Sequence, residues 1–367
     1  MGKMFQLEKR EHLLWMESKR AMEEKKKIYI YGCGEIGKYV CDFLLFKGIP
    51  VEGFLVDVPF YKENISYKNV VAFCTESTEW DDDAIIFVAI KDYNREKLTK
   101  LARKAELIEV DVLSVHFKDD LEAMTWELVC SEWEKWTKLY EDLADEKSKR
   151  CVKAYLNQRL SGDFSYLEAI WEENQYCDNA IVDFKRIEAL VDCGAYDGDS
   201  YRLFKKNYRE CVGEDYTGKA FLLEPDTTNY QKLCFNCKED KNCCILKLGA
   251  WDKKERLSFS TSGIASEISE GGNVCIDVDT IDHIVGGEKI DYIKMDIEGS
   301  ELCALQGAVN TVKKHRPILA ICVYHKKDDL LTIPQYIHSI CPEYEFYLRA
   351  YSRYAQEFVL YAIPKGD

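Results

Sequence analysis

Residues 190–200, Leu-Val-Asp-Cys-Gly-Ala-Tyr-Asp-Gly-Asp-Ser, hold the densest set of groups that could do chemistry. A short apolar run (Ile187, Leu190, Val191) ends in Asp192, a turn carrying Gly194 and Gly198 follows, and Ser200 leads into Tyr-Arg-Leu-Phe. This spacing predicts a strand, a glycine turn and a helix. The glycines let the backbone turn sharply and approach a ligand, while the helix N-terminus points unpaired N–H groups at it. The next apolar run, Ala-Phe-Leu-Leu, closes on Glu224, followed by Pro225 and Asp226. A carboxylate there can accept hydrogen bonds from both hydroxyls of a ribose. The two segments together predict a pocket for a nucleoside, read here as that of S-adenosylmethionine in a methyltransferase.

A second signature lies earlier. Ile28-Tyr29-Ile30-Tyr31 reads as a strand, Gly32, Gly34 and Gly37 form G-x-G-x-x-G, Lys38 to Phe46 is amphipathic, and the next strand ends at Asp57. Spacing and context match the dinucleotide fingerprint, in which the acid meets a ribose diol. Strands over Asn69 to Phe73, Ala84 to Ile90 and Leu107 to Val112, with a helix over Asn94 to Lys104, complete a small parallel sheet. The unit is short for a dehydrogenase and no hydride-transfer domain follows it. NAD(P), a nucleotide sugar, or no ligand at all are the open readings for Gly32, Gly34, Gly37 and Asp57.

The elements that must position these groups divide the chain into a leading helix (1–26), a small Rossmann-like domain (27–118), a helical connector (119–174) and a second α/β domain (175–367). The leading helix rests on Phe5, Leu13, Leu14 and Met22. In the connector Trp126, Val129, Trp133, Trp136 and Tyr140 recur at helical spacing, a packing stripe, with further helices over Glu146 to Leu160 and Tyr166 to Glu173. In the second domain a third strand, Ile245 to Leu248, runs into Gly249-Ala250-Trp251. Arg256 to Ser260 and Val274 to Val278 suit an inserted hairpin, and Asp279 to Asp282 caps a short helix. Ile290 to Asp296 is the fourth strand and Ile318 to Val323 the fifth, ending at Tyr324-His325. Tyr344 to Tyr351 and Glu357 to Ile363 alternate as an antiparallel pair.

With these motifs in order, residues 175–363 resemble the FkbM-type S-adenosylmethionine-dependent methyltransferases. The resemblance is carried by Val191 to Ser200, Leu223-Glu224-Pro225, Gly249-Ala250, Val278 to Asp282 and, most specifically, Lys294-Met-Asp-Ile-Glu-Gly-Ser-Glu301. It implies a seven-stranded class I methyltransferase sheet closed by a C-terminal antiparallel hairpin, and O-methylation of a sugar or natural-product hydroxyl. It further implies that Asp192, Gly194, Ala195, Tyr196, Asp197, Gly198 and Ser200 hold the methionine end of S-adenosylmethionine. Glu224 and Pro225 would hold the ribose, Ala250 and Trp251 border the adenine, and Asp296 stands at the ligand side of a central strand. The first domain lies outside this resemblance and looks like the nucleotide-fold modules of bacterial surface-sugar enzymes, which suggests polysaccharide biosynthesis.

A hydroxyl that takes a methyl group must lose its proton, and a base there contributes roughly 10²–10⁴-fold. His325 is the first choice for that base, with Asp296 and Glu298 as alternatives. Asp279, Asp282, Asp296 and Glu298 could ring a divalent ion, but helix capping accounts for the first two, and no metal is expected. Cys234 and Cys237 have C-x-x-C spacing, with Cys243 and Cys244 nearby, yet small buried hydrophobes explain all four. A formal net charge of −15 argues against nucleic acid as partner and leaves a small molecule or glycan as acceptor. Sixteen cysteines without a disulfide pattern, a charged N-terminus unlike a secretory signal, and no apolar stretch of membrane length predict a cytoplasmic protein, a homodimer remaining open.

Overall fold

Apolar runs of four or five residues, separated by glycine turns and amphipathic helices, build two parallel-dominated sheets in the computed structural model of the chain. The structure describes residues 6–77, 80–81, 83–90, 95–111, 114, 124–260, 267–268, 274–354 and 356–366. Packing divides the chain into two units, Met1–Ser131 with Lys153–Glu168, and Glu132–Val152 with Ala169–Asp367. The helical stretch between the two sheets is therefore shared out, 132–152 to the second unit and 153–168 to the first.

In the first unit the leading helix is Leu13–Glu24, started by His12, whose Nδ1 accepts the Leu14 N–H. Phe5 lies outside the described residues. The strands β1 (Lys27–Tyr31), β2 (Gly53–Val56), β3 (Ser66–Tyr67), β4 (Val70–Cys74), β5 (Ala84–Val88) and β6 (Glu106–Glu109) form one sheet in the order β3-β4-β2-β1-β5-β6. All pairings are parallel except that of β3 with β4. Every residue of β5, Ala-Ile-Ile-Phe-Val, is buried, as a parallel strand covered on both faces requires. The expected ends at Asn94 and Val112, and the boundary at 118, fall outside the described residues.

The second unit adds β7 (Ala189–Cys193), β8 (Lys219–Leu223), β9 (Cys243–Leu246), β10 (Gly249–Ala250), β11 (Glu255–Ser260), β12 (Glu267–Ile268), β13 (Val274–Asp279), β14 (Tyr292–Met295), β15 (Ile318–Cys322), β16 (Tyr344–Ala350) and β17 (Phe358–Pro364). Seven of them form a sheet in the order β16-β17-β15-β14-β7-β8-β9, with β17 antiparallel to both its neighbours. The expected C-terminal hairpin is thus in place. The order reverses between β7 and β14, the switch point where open α/β sheets leave a crevice at the carboxyl ends of their strands. The inserted hairpin is β11 with β13, extended by β12 and by β10 into a separate four-stranded sheet.

One expected helix is shorter than the sequence suggests. Only Ser165–Glu168 is helical, because Trp171 instead bridges Ala350 and the Glu172 N–H bonds the Ala350 carbonyl at 2.9 Å. Leu143 likewise bridges Phe346, and the Ala144 N–H reaches the Phe346 carbonyl at 2.9 Å. Backbone groups of the edge strand β16 that a helical reading would leave open are thereby paired. From the same strand the buried Arg349 guanidinium meets Asp145 at 2.7 Å and Asp178 at 2.9 Å. Burial raises the Asp145 carboxyl, but its bonds to Arg349 and Ser148 outweigh that and bring it down to about 2.

Replacing Arg349 by methionine strands the buried Asp178 carboxylate without its cation. Removing one partner of a buried pair costs about 3–5 kcal/mol. Calorimetry should show a clearly lower unfolding temperature for the second unit in Arg349→Met, with the transition of the first unit unmoved.

Candidate active site

The site begins with two charges on adjacent strands. Asp192 of β7 and Lys294 of β14 are register partners, both almost wholly buried, with Lys294 Nζ 3.0 Å from Asp192 Oδ1. Burial disfavours the ammonium, but the charges of Asp192 and Asp296 outweigh it and hold Lys294 protonated. Its Nζ also donates to the Gly194 carbonyl at 2.7 Å, and Ser200 Oγ donates to Asp192 Oδ2 at 2.6 Å. The two ends of the glycine turn are therefore tied to one ion pair. Gly194 has φ +79°, and a Cβ there would fall 1.9 Å from the Asp296 carbonyl oxygen, so no other residue fits.

Glu224 follows β8 and is largely buried. Its Oε2 accepts the Tyr196 N–H at 2.9 Å and its Oε1 the Asp226 N–H at 2.8 Å. Burial pushes this carboxyl up, and the two backbone N–H groups oppose the shift. Each oxygen retains a lone pair for a further donor. Asp226 caps the helix Thr227–Asn236 through its bond to the Asn229 N–H.

Around these groups lies a cavity of about 930 Å³, within the range of small-molecule pockets. Gly194, Tyr196 and Ser200 border it from the glycine turn. On the β8 side stand Glu224, Pro225, Ala250 and Trp251, and on the β14 side Asp296, Glu298 and Gly299. Nine of the residues expected from the sequence (Gly194, Tyr196, Ser200, Glu224, Pro225, Ala250, Trp251, Asp296 and Glu298) thus meet at one cavity. Asp192 and Ala195 are buried behind the turn rather than bordering it. Asp197 is engaged by Arg202 at 2.9 Å, and Gly198 packs towards Leu233 and Cys237.

Several bordering residues escaped the sequence reading. Leu257, Ile276 and Val278 of the inserted sheet supply an apolar wall, Leu257 facing Ile276 across β11 and β13. Their period-two alternation was a usable signal. Gln175, Tyr176, Lys326 and Glu357 add a polar side next to Asp296. Tyr176 Oη donates to Asp296 Oδ2 at 2.8 Å. Asn174, Tyr176, Tyr196, Glu298 and Glu357 all have positive φ between 48° and 65°, a costly backbone state for non-glycine residues that clusters at functional sites.

His325, at the end of β15, stands behind Asp296 rather than on the cavity wall. Its Nδ1 is 3.0 Å from Oε1 of the fully buried Glu301, and its Nε2 is 3.5 Å from Asp296 Oδ1 and 3.6 Å from Glu298 Oε2. Burial draws the imidazole down, but these three carboxylates more than offset it and raise it to about 9. An imidazole already protonated at neutral pH is a poor acceptor for another proton. Asp279 and Asp282 serve caps, through Thr280 N and His283 Nδ1 for the first and the Asn310 and Thr311 N–H groups for the second.

In the first unit, Gly37 is forced by packing, since a Cβ there would sit 2.0 Å from the Gly32 carbonyl oxygen, and Gly32 has φ +108°. A Cβ on Gly34 would meet nothing within 4 Å. Asp57 is already engaged by Tyr31 Oη at 2.9 Å, Thr75 Oγ1 at 3.3 Å and Lys97 Nζ at 2.6 Å. Its carboxylate offers a ribose diol far less than that of Glu224.

A seven-stranded sheet of this order, with a glycine turn after its first strand and an acid after its second, defines a class I methyltransferase, and the cofactor it implies is S-adenosylmethionine. Within that class, residues 192–347 match the methyltransferase FkbM domain family. The fold is similar to that of the methyltransferase FkbM from Methylobacillus flagellatus KT, with a TM-score of 0.69 at 23% identity over 98% of this chain and 94% of that one. Smaller likenesses include an rRNA methylase from Streptococcus thermophilus (TM-score 0.33, 12% identity, 50% of this chain and 92% of that one). Another is Aeropyrum pernix fibrillarin with natively bound S-adenosyl-L-methionine (TM-score 0.30, 10% identity, 50% and 69%). No curated protein matches the sequence.

In nuclear magnetic resonance at increasing pH, the His325 imidazole should titrate near 9 rather than at its ordinary 6.5. Because the folded value is raised, this group stabilises the fold fully below about 6.5 and ceases to as pH climbs through 9. Glu301→Gln should move the titration back towards the ordinary value.

Proposed function

We propose that the second unit methylates a hydroxyl of a sugar, glycan precursor or secondary metabolite. The observation that carries this reading is the placement of Glu224 and the Asp192–Lys294 turn on one cavity whose opposite, polar side is made by the hydrogen-bonded residues Gln175, Tyr176, Asp296 and Glu357. S-adenosylmethionine supplies a methyl on a sulfonium, which a hydroxyl oxygen attacks in line, leaving a neutral thioether. Glu224 holds the ribose hydroxyls with its remaining lone pairs, and the turn from Gly194 to Ser200 receives the methionine end. Ala250, Trp251 and the apolar wall of Leu257, Ile276 and Val278 receive the base.

Positioning supplies much of the rate of such a transfer, and the residues opposite the turn orient the acceptor. Asp296 and Glu357 lie close together in environments that push their acidities apart. Burial raises Asp296, but Lys294 and His325 more than reverse this, whereas burial and the Asp296 charge both raise Glu357. Two carboxyls so separated suit distinct roles. Glu357 takes the hydroxyl proton as the carbon–oxygen bond forms, while Asp296 stays ionised and holds Tyr176 and the acceptor in place. The net charge of −15 supports a small-molecule acceptor over nucleic acid, and sixteen unpaired thiols suit a reducing cytoplasm. The engagement of Asp57 favours no nicotinamide or nucleotide-sugar chemistry in the first unit.

Titration calorimetry with S-adenosylhomocysteine tests the reading. Wild type should bind in the micromolar range, and Glu224→Ala should weaken binding about 10–100-fold, the worth of hydrogen bonds to a charged group. Absence of any heat with the wild-type chain would overturn it.

A further inference from the structure

We propose that Cys237 and Cys243 are the site of a reversible disulfide, formed by a hydroperoxide, that loosens the turn from Gly194 to Ser200. The two thiols hydrogen-bond to each other. Cys237 ends the helix Thr227–Asn236 as its C-cap, and Cys243 opens β9. Two short turns close the chain between them. The Asp240 N–H meets the Cys237 carbonyl at 3.0 Å, and the Cys243 N–H meets the Asp240 carbonyl at 3.3 Å. Asp240 is braced in turn by Tyr201 Oη at 3.1 Å and Lys205 Nζ at 2.6 Å. The loop therefore holds the two sulfurs as neighbours.

A thiolate is the nucleophile in such chemistry. The hydrogen bond from Cys243 lowers the Cys237 thiol against its burial, and the Arg202 charge lowers it further. The same bond raises Cys243, so deprotonation falls on Cys237. β9 is the outermost strand of its sheet and Cys243 is half-buried, which opens the pair to a small oxidant from the sheet edge. The Cys237 thiolate attacks one oxygen of hydrogen peroxide, the O–O bond breaks, and hydroxide leaves to become water. The Cys243 sulfur then displaces the hydroxyl of the sulfenic acid, again as water, and the S–S bond forms. Two thiols are oxidised and one peroxide is reduced to two waters. A dithiol reverses the step by exchange.

Cys237 also underlies the nucleoside pocket. A Cβ on Gly198 would fall 3.2 Å from its Sγ, and its neighbour Asn236 donates a side-chain N–H to the Asp197 carbonyl at 2.8 Å. The same helix starts from Asp226, which bonds Glu224. The glycine turn and the ribose acid thus rest on one helix. Drawing the sulfurs to about 2.05 Å moves Cys237 off its seat under Gly198 and pulls Asn236 from Asp197. Formation of the bond does not depend on the methyl-transfer reading, whereas its effect on ligand binding does.

Peroxide treatment of the reduced full chain, followed by tryptic digestion and mass spectrometry, tests the site. Leu233–Lys238 and Asn242–Lys247 should appear as one joined peptide short of two hydrogens, and dithiothreitol should separate them. Cys243→Ser should not give it. In titration calorimetry the oxidised wild type should bind S-adenosylhomocysteine about tenfold more weakly than the reduced chain, the worth of one hydrogen bond. Peroxide-treated Cys243→Ser should bind as it did before treatment. The proposal is overturned if no joined peptide forms, if it persists in Cys243→Ser, or if affinity falls equally in both proteins or in neither. A reduced wild type that binds no S-adenosylhomocysteine overturns the methyl-transfer reading instead, and the joined peptide still decides the disulfide.

Discussion

The buried pair of Asp192 and Lys294 is the constraint on which the site depends. Taking two charges out of water costs several kcal/mol per ion, and only close geometry with further hydrogen bonds offsets it. Here the lysine also meets the Gly194 carbonyl, and the aspartate takes the Ser200 hydroxyl. The pair therefore does more than neutralise itself. It fixes where the turn after β7 leaves the sheet and where the following helix begins. It also sets the spacing to β14, whose next residue but one is Asp296.

Much of this was legible in the sequence, because the chemistry of a turn leaves local marks. Gly194, Gly198 and Glu224 can be found by spacing alone, since close approach needs glycine and a diol needs a carboxylate after a strand. The strands and the final hairpin were legible as apolar runs, while the seven-stranded sheet they build was implied by the family resemblance. The role of Lys294 was hidden, because a lysine in a strand reads as a surface residue until its register partner is known to be an aspartate. Glu301 looked like an ordinary first-turn acid of a helix, and only the fold brings it behind His325.

The remaining gaps share another cause. Gln175, Tyr176 and Glu357 reach the cavity from distant parts of the chain through left-handed backbone positions that no propensity announces. Trp171 fell within the helix expected over Tyr166 to Glu173, whereas the open edge of β16 had the stronger claim on its backbone. Where local preference and long-range pairing conflict, a reading of local pattern cannot weigh the second. In the first unit the motif was legible and its use was not. The glycines at 32 and 37 answer to packing, and the acid at 57 is engaged within its own domain.

The inserted sheet gives the fold a division of labour. The residues that grip the glycine turn and the Glu224 carboxylate belong to the seven-stranded sheet, where a change in one strand disturbs its neighbours. Leu257, Ile276 and Val278 belong to a separate four-stranded sheet. The volume and greasiness of that wall can drift without loosening the ion pair beneath the turn. Divergence among relatives should therefore run faster in this hairpin than in the strands that carry Asp192 and Lys294.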